Sequence, residues 1–496
     1  MPAGSGRGAD MVYLHISAIA VLTFIVYLNA VNNGFVGDDY GFITENLAIR
    51  SLANIWGFFF DSKGTLAGYT LPEYGTFIYR PLRTLSYALD HSLFGHWAPG
   101  YHITSIVLHV FAGVFLYFIT AEIFKSYRVA FIASVLFALH PVHVEAVSWI
   151  SSRADLIGFI FFCLSLLFYM RRGGESKPHL ALSIAFSFLS YLGKETMVAL
   201  PGIIILYDVI CRDNAGLRET IKKKTPAWVV FSVVMFAYLF LRYKMTGKMS
   251  LSHQEWWGGN PYSNFLMMTK ASAIYLRLLV LPVNLNFHYV ISTVQTLFDV
   301  KVLISAFVLL AYLALTVFFY FRQRAVCFVL AWFFLGLVPI ANIAPISFSM
   351  MAERYIYMAS AGPIMAAAYG LCTWHKKAKD ASPWGGRVVA GLSLALMAAF
   401  SAQVMARNPD YKDEFAFYTA AVKSSPDSPP SLKGLADQYM AKKDYAAALE
   451  YFGKAIALNP AYAEAYLGIG FVYIKTGDMD KALFHVLKAV QYKPNN

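Results

Sequence analysis

"MVYLHISAIAVLTFIVYLNAV", residues 11–31, is an apolar run without a single charge. As a helix it is long enough to cross the roughly 30 Å of bilayer hydrocarbon. Neither a small-residue cleavage site nor a clear soluble domain follows it, so the reading is a retained first membrane helix and not a removed signal. The rest of the chain agrees. Of 496 residues, 58% are hydrophobic and 16% aromatic while only 14% are charged, the balance of a polytopic membrane protein.

The net charge of +12 would suit a nucleic-acid binder, but its distribution argues otherwise. Basic residues gather in short connections: Lys125 and Arg128; Arg171, Arg172 and Lys177; Arg218 and Lys222 to Lys224; Arg322 and Arg324; Lys376, Lys377 and Lys379. Such clusters mark cytoplasmic loops, and no nucleic-acid partner is expected. With these loops inside, the sequence predicts about eleven spans: 11–31, 103–124, 129–140, 156–170, 180–193, 197–211, 227–244, 301–321, 325–341, 355–373 and 386–406. The odd count carries the C-terminus to the external side, together with the connections 32–102, 141–155, 245–300 and 342–354. Segment 264–282, interrupted by Lys270 and Arg277, reads as an interfacial or re-entrant helix. "SLANIWGFFFDS", residues 51–62, reads as an amphipathic helix on the bilayer surface. Cys163, Cys211, Cys327 and Cys372 fall in helices or near cytoplasmic ends, too scattered for a zinc site and misplaced for an external disulfide.

After about residue 406 the chain becomes alanine-rich, charged and periodic. "PSLKGLADQYMAKKDYAAALEYFGKAIALNP" ends at Pro460, and "AEAYLGIGFVYIKTGDMDKALFHVLKAVQYKP" ends at Pro494, a period of 34 residues. Leu432 and Tyr466, Tyr439 and Tyr473, Ala448 and Ala482, and Ala455 and Ala489 occupy equivalent places. This resembles the tetratricopeptide repeat, in which small residues let helices approach and aromatics fill between them. The division is a membrane domain over 1–406 and a repeat domain over 407–496, with full repeats at 429–462 and 463–496. Residues 412–424 read as the second helix of an earlier, incomplete repeat. So few repeats are expected to pack on the membrane domain or on another copy.

Chemistry is expected in the external connections. Asp38 and Asp39 lie where the chain leaves its first span, and one could act as general base toward an acceptor hydroxyl; a solvated turn is the plain alternative. "FALHPVHVEAVSWISSRADLIG", residues 137–158, concentrates His140, His143, Glu145, Arg153 and Asp155 at a helix end. Pro141 breaks the helix that would align the histidines as metal ligands, so hydrogen bonding is preferred over a divalent metal. Arg80, Arg153, Lys194 and Arg354 oppose the inside bias, and an anionic phosphate would explain them; the alternative is pairing with sequence neighbours, Lys194 with Glu195 and Arg354 with Glu353. Tyr355 and Tyr357 read as interfacial anchors, His102 as a site candidate at the mouth of the second span, and His109 as a core residue. Trp256 and Trp257 could stack on a sugar or rest among headgroups.

The ordered set "FVGDDYGFITEN", "YRPLRTLSYALDHSLFG", "GYHITSIVLH", "ALHPVHVEAVSWISSRADL", "GKET" and "AERYIY", followed by the repeats, resembles the transmembrane and tetratricopeptide-repeat O-mannosyltransferases of the GT-C superfamily. The resemblance runs nearly end to end. It implies an all-α GT-C membrane fold whose first external loop carries an acidic motif, matched by Asp38 and Asp39. It also implies a polyprenyl-phosphate sugar donor and catalysis on the lumenal or periplasmic side, with mannose passing to Ser or Thr hydroxyls of a protein in the animal members. This chain departs from them in its few repeats and in lacking a large aromatic before the acids. A bacterial member is the reading, with site and repeats in the periplasm; an endoplasmic reticulum protein is the alternative. The expected site joins Asp38 and Asp39, with preference for Asp39 as base, to a phosphate- and substrate-binding set of Arg80, His102, His140, His143, Glu145, Arg153, Lys194, Glu195, Glu353, Arg354 and Tyr355, with no metal required. Expected partners are the lipid-linked donor, an acceptor polypeptide held by the repeats, the membrane and a second copy of the chain. A membrane scaffold and a lipid-sugar transporter are the rival readings.

Overall fold

The computed structural model describes residues 6–61, 70–71, 76–172, 176–212, 216–247, 256–342 and 349–493. Helix α1 (Gly6–Tyr27) leads into the loop that carries the two aspartates, and then into α2 (Ile55–Phe60) and α3 (Pro81–Phe94). The membrane domain continues with α4 (Ala98–Phe124), α5 (Tyr127–Ala138), α6 (Val144–Ser148), α7 (Arg153–Arg172), α8 (Lys177–Gly193), α9 (Leu200–Tyr207) and α10 (Leu217–Thr246). It is completed by α11 (Pro261–Val280), α12 (Val300–Arg322), α13 (Arg324–Leu337), α14 (Ala361–Ala381) and α15 (Gly385–Arg407). The C-terminal part comprises α16 (Glu414–Ser424), α17 (Pro429–Ala441), α18 (Tyr445–Leu458), α19 (Ala463–Thr476) and α20 (Met479–Tyr492). The only sheet among the described residues is a two-residue antiparallel pair, Thr70–Leu71 with Thr76–Phe77.

Among the described residues six helices are long and apolar enough to cross a bilayer: α4, α10 and α12 with the bounds given above, and α1, α7 and α15, whose apolar stretches run over Gly8–Asn32, Ile150–Arg171 and Gly385–Tyr411. A seventh arises if α5 and the Pro141–Ser148 turn, bent by 53°, form one broken span. This corrects the expectation of about eleven. Four of the five missing segments are helical in part but interrupted, and the fifth, 180–193, lies inside the unbroken α8, whose 17 residues are too few to count as a full span. Pro141 stops the helix begun at Tyr127, and residues 197–211 divide among a 3₁₀ turn, the 8-residue α9 and a π turn. Segment 355–373 opens with a 3₁₀ turn over Glu353–Ile356, and α14 starts only at Ala361. Averaged hydropathy joins such pieces because it does not register where the backbone turns. Helix α11 also fails as a span, its buried Lys270 donating to Ser292 Oγ at 3.0 Å. The protein is nonetheless an integral membrane protein by these six helices.

Helix α7 is the pillar of the membrane domain, with 83% of its apolar window buried by neighbours, against 17% for α12 and α15. Helix α8 returns along it so closely that a Cβ on Gly193 would stand 2.8 Å from Gly158 N, and one on Gly158 2.9 Å from Lys194 Cβ. Deeper in the same crossing, Ser165 and Ser183 each donate a hydroxyl to the other's carbonyl at 2.7 Å. Small residues let the backbones touch, and the reciprocal bonds satisfy both hydroxyls in an apolar setting. The crossing delivers Lys194 to the side of Asp155, so Gly193→Ala is expected to cost about 2 kcal/mol through overpacking, measured by denaturant unfolding in detergent.

In the C-terminal part the 34-residue period is visible in the packing. A Cβ on Gly434 would meet the Tyr418 ring at 2.1 Å, and one on Gly468 would meet the Phe452 ring at 2.3 Å. The two glycines are 34 residues apart and so are the two rings, so α16 stands to α17 as α18 stands to α19. Asp444 and Asp478, also 34 apart, cap α18 and α20 through the N–H groups of Ala447 and Lys481.

Candidate active site

The loop after α1 turns at Gly37, whose φ of +54° glycine adopts without penalty. The turn separates the two aspartates. Asp38 is exposed, whereas Asp39 is wholly buried. Asp39 Oδ2 accepts the Val36 N–H at 3.1 Å, and Oδ1 accepts the Ser151 N–H at 2.7 Å and the Ser151 hydroxyl. Burial pushes the Asp39 carboxyl up to about 7, against the pull of these bonds. It fastens the loop to the turn before α7.

Three of the expected cations, Arg80, Lys194 and Arg354, are brought together beside this loop with their counter-ions. Arg80 forks onto Glu195, Nε to Oε2 at 2.9 Å and Nη2 to Oε1 at 2.6 Å. Lys194 Nζ donates to Asp155 Oδ2 at 2.7 Å. Arg354 pairs with Glu145, which also accepts the Arg354 backbone N–H at 2.9 Å. The cations act on one another electrostatically, Lys194 sensing both Arg80 and Arg354. Tyr355 lies 5.9 Å from Lys194 Nζ and 5.0 Å from the Arg354 guanidinium, measured to its ring centroid. Burial works against the Glu195 carboxylate, yet Arg80 holds its pKa well below the usual range. Burial lowers Lys194 to about 8, with Asp155 opposing.

Sequence neighbours therefore do not pair. Lys194 is extended, with φ −152° and ψ 130°, so successive side chains point to opposite sides. Lys194 reaches α7 while Glu195 reaches the start of α3. The same exchange occurs at the next pair: Arg354 takes Glu145, and the buried Glu353 takes Arg407 at 2.9 Å, the Asn286 N–H at 2.5 Å and the Tyr289 hydroxyl at 2.6 Å. Burial raises Glu353 to about 8 despite Arg407.

Other expected site residues are spent on structure. Arg153 is fully buried, bound to Asp90 at 2.6 Å, Tyr101 O at 2.7 Å and Ser105 Oγ at 3.2 Å, which ties α7 to α3 and α4 and takes it away from the cation cluster. His140 bonds Leu279 O and the Val142 N–H, and His143 bonds Phe137 O and Ser360 Oγ. With Glu145 held by Arg354, these three do not converge on a common point; among the described residues no three His, Cys, Asp or Glu side chains form a metal cluster. His102 is buried beneath the aspartate loop, its Nε2 3.3 Å from Gly34 O. His109 bonds Tyr357 and Ala138 O inside the membrane domain.

Sequence reasoning passed over Arg83. It is 1% exposed, its Nε has no hydrogen-bond partner, and no carboxylate of the described residues forms an ion pair with it. The guanidinium lies 3.9 Å over the Phe42 ring. Burial lowers it to about 10, and Asp38 is among the charges acting on it. A signal was present: with Pro81 starting the helix, Arg83, Tyr87 and Asp90 recur at helical spacing and share the buried face of α3.

A family model described as "Tetratricopeptide repeat" matches residues 439–496. Protein O-mannosyl-transferase F38B6.6 of Caenorhabditis elegans is 27% identical over 92% of this chain and 64% of its own length. Protein O-mannosyl-transferase TMTC1 of Homo sapiens is 25% identical over 91% of this chain and 56% of its own length. The chain thus spans less than two thirds of either relative. Among solved structures, ArnT from Cupriavidus metallidurans bound to undecaprenyl phosphate aligns with 98% of this chain and 78% of its own, at 14% identity and a TM-score of 0.44. Along more than nine tenths of its length the chain resembles the transmembrane and tetratricopeptide-repeat protein O-mannosyl-transferases, and it carries tetratricopeptide repeats of its own.

Proposed function

We propose that this chain is a GT-C glycosyltransferase that moves a monosaccharide, mannose by analogy with its named relatives, from a polyprenyl-phosphate donor to a protein Ser or Thr hydroxyl. The observation that carries the reading is the exposed Asp38 carboxylate, whose charge acts on both Arg83 and Arg354 at the edge of the cation cluster. A base beside cations suits this chemistry. Asp38 takes the acceptor's hydroxyl proton as the oxygen bonds to the anomeric carbon. The bond from that carbon to the phosphate oxygen breaks, and polyprenyl phosphate leaves with its electron pair. Arg83, Arg354, Arg80 and Lys194 stabilise the charge gathering there, while Asp39 holds the loop. The basic connections favour placing this end of the molecule outside, in a bacterial periplasm or an equivalent lumen, with the repeats presenting acceptor polypeptide.

The test is to incubate the purified protein and its Asp38→Asn variant with a panel of polyprenyl-phosphate monosaccharides and to follow release of polyprenyl phosphate by mass spectrometry. Release that depends on Asp38 names the donor and supports the reading; equal release from both proteins rejects Asp38 as the base. The pH profile supplies a second check. Lys194 is cationic below about 8 and loses its charge above, so donor KM is expected to rise about tenfold one unit above that pKa. Lys194→Arg, which does not titrate in this range, should flatten the rise.

A further inference from the structure

Helix α16 touches the site and the repeats at once. On the site side, Lys412 O, just before the helix, accepts the Gly34 N–H at 2.8 Å. Asn408 is fully buried and makes four hydrogen bonds to two stretches, the end of the first span and α6: its Nδ2 donates to Val26 O at 3.0 Å and Asn29 Oδ1 at 2.6 Å, its carbonyl accepts Asn33 Nδ2 at 2.9 Å, and its Oδ1 accepts the Ser148 hydroxyl at 2.9 Å. Phe417 stacks on Phe287 with centroids 4.1 Å apart and reaches the Trp149 ring at 5.4 Å. Trp149 donates its indole N–H to Val36 O at 3.1 Å, packs against Gly37, and has the Arg354 guanidinium 5.0 Å over its ring. On the repeat side, Tyr418 lies against Gly434, and Glu414 accepts from Gln438 Nε2 at 2.8 Å.

We infer that residues 408–425 are a positioning clasp for the Asp38 loop, so that the geometry of the repeat stack sets the geometry of the site. The route runs from Gly434 through Tyr418 and Phe417 to Trp149, and from Trp149 to the Gly37–Asp38 turn and Arg354. The inference rests on the function proposed above for its kinetic consequence, but the mechanical link can be tested without turnover.

The experiment uses the full chain, native and as two variants: Phe417→Ala on the site side, and Gly434→Val, which presses on Tyr418 from the repeat side and touches nothing in the loop. Amide hydrogen exchange is followed at residues 33–40 and, as a control, in α7. Both variants are expected to speed exchange at 33–40 at least tenfold, to leave α7 unchanged, and to lower kcat for lipid-phosphate release about tenfold at an unchanged donor KM. Phe417→Tyr, which keeps the ring stack, should restore both readouts. If Gly434→Val speeds exchange only within 429–493, or if either variant loosens α7 as much as the loop, the residues are ordinary structural contacts and the clasp is overturned. Faster loop exchange in a chain with no turnover of any donor would uphold the clasp and reject the proposed function.

Discussion

Asp38→Asn lowers polyprenyl-phosphate release by about 10²–10⁴-fold, the range carried by a positioned general base, and leaves donor KM within about a factor of two. The side chain is exposed and its replacement has the same size, so the folded state should be untouched. Asp39→Asn behaves differently. Both Asp39 oxygens accept hydrogen bonds in a dry setting, two of them from backbone N–H groups, and the amide nitrogen of Asn would face a donor with a donor. The cost is about 1–3 kcal/mol, seen as a lower denaturation midpoint before any kinetic effect. Steady-state kinetics and urea unfolding of the two variants side by side separate the base from the anchor. Equal kinetic losses with equal stabilities would reject the division of roles.

Arg83→Met is expected to make the protein more stable and less active at once. A buried guanidinium that no carboxylate of the described residues pairs carries a desolvation cost that a flexible apolar side chain removes, and the gain is expected to be on the order of the 1–4 kcal/mol seen when buried ion pairs are replaced by apolar groups. The same change withdraws a donor pre-aimed at developing phosphate charge, a loss of about 10²–10³ in rate where such groups have been deleted. Arg153→Met is the control. That guanidinium is equally buried but pairs with Asp90, so removing it strands a carboxylate and should cost about 3–5 kcal/mol. Opposite shifts in unfolding midpoint for two buried arginines within one site region would identify the one kept for a ligand. A drop in stability for Arg83→Met would show that Phe42 stacking outweighs desolvation and that the residue is structural.

The membrane character, the helical repeats and the loops that meet at the site were legible because each has a strong local signature: long apolar runs, a fixed 34-residue period, polar groups crowded at helix ends. The number of spans was not, since turns such as the one after Ala138 depend on a proline and on packing that a hydropathy window averages away. Ion-pair partners were also hidden. Lys194 beside Glu195 and Glu353 beside Arg354 look like pairs on paper, yet backbone direction sends each to a different helix. The difference between Asp38 and Asp39 rests on one positive-φ glycine and on Ser151, more than a hundred residues away. Arg83 escaped notice because an arginine on a short helix reads as surface charge until its neighbours are known.

The enclosure of α7 bears on how the chain enters a bilayer. This helix is apolar enough to leave the translocon by itself, and it is synthesised before α8, α9 and α13, which pack against it. It must first stand among lipids and then trade them for protein as its later neighbours arrive. Helices α9 and α13 span 8 and 14 residues, too short to partition as independent spans, so they can be retained only against a partner already in place. Biogenesis is then a two-stage process, insertion of the long helices followed by capture of the short ones. A weakened α7–α8 crossing should be seen in cells as nascent chains degraded before assembly, ahead of any fault in the chemistry.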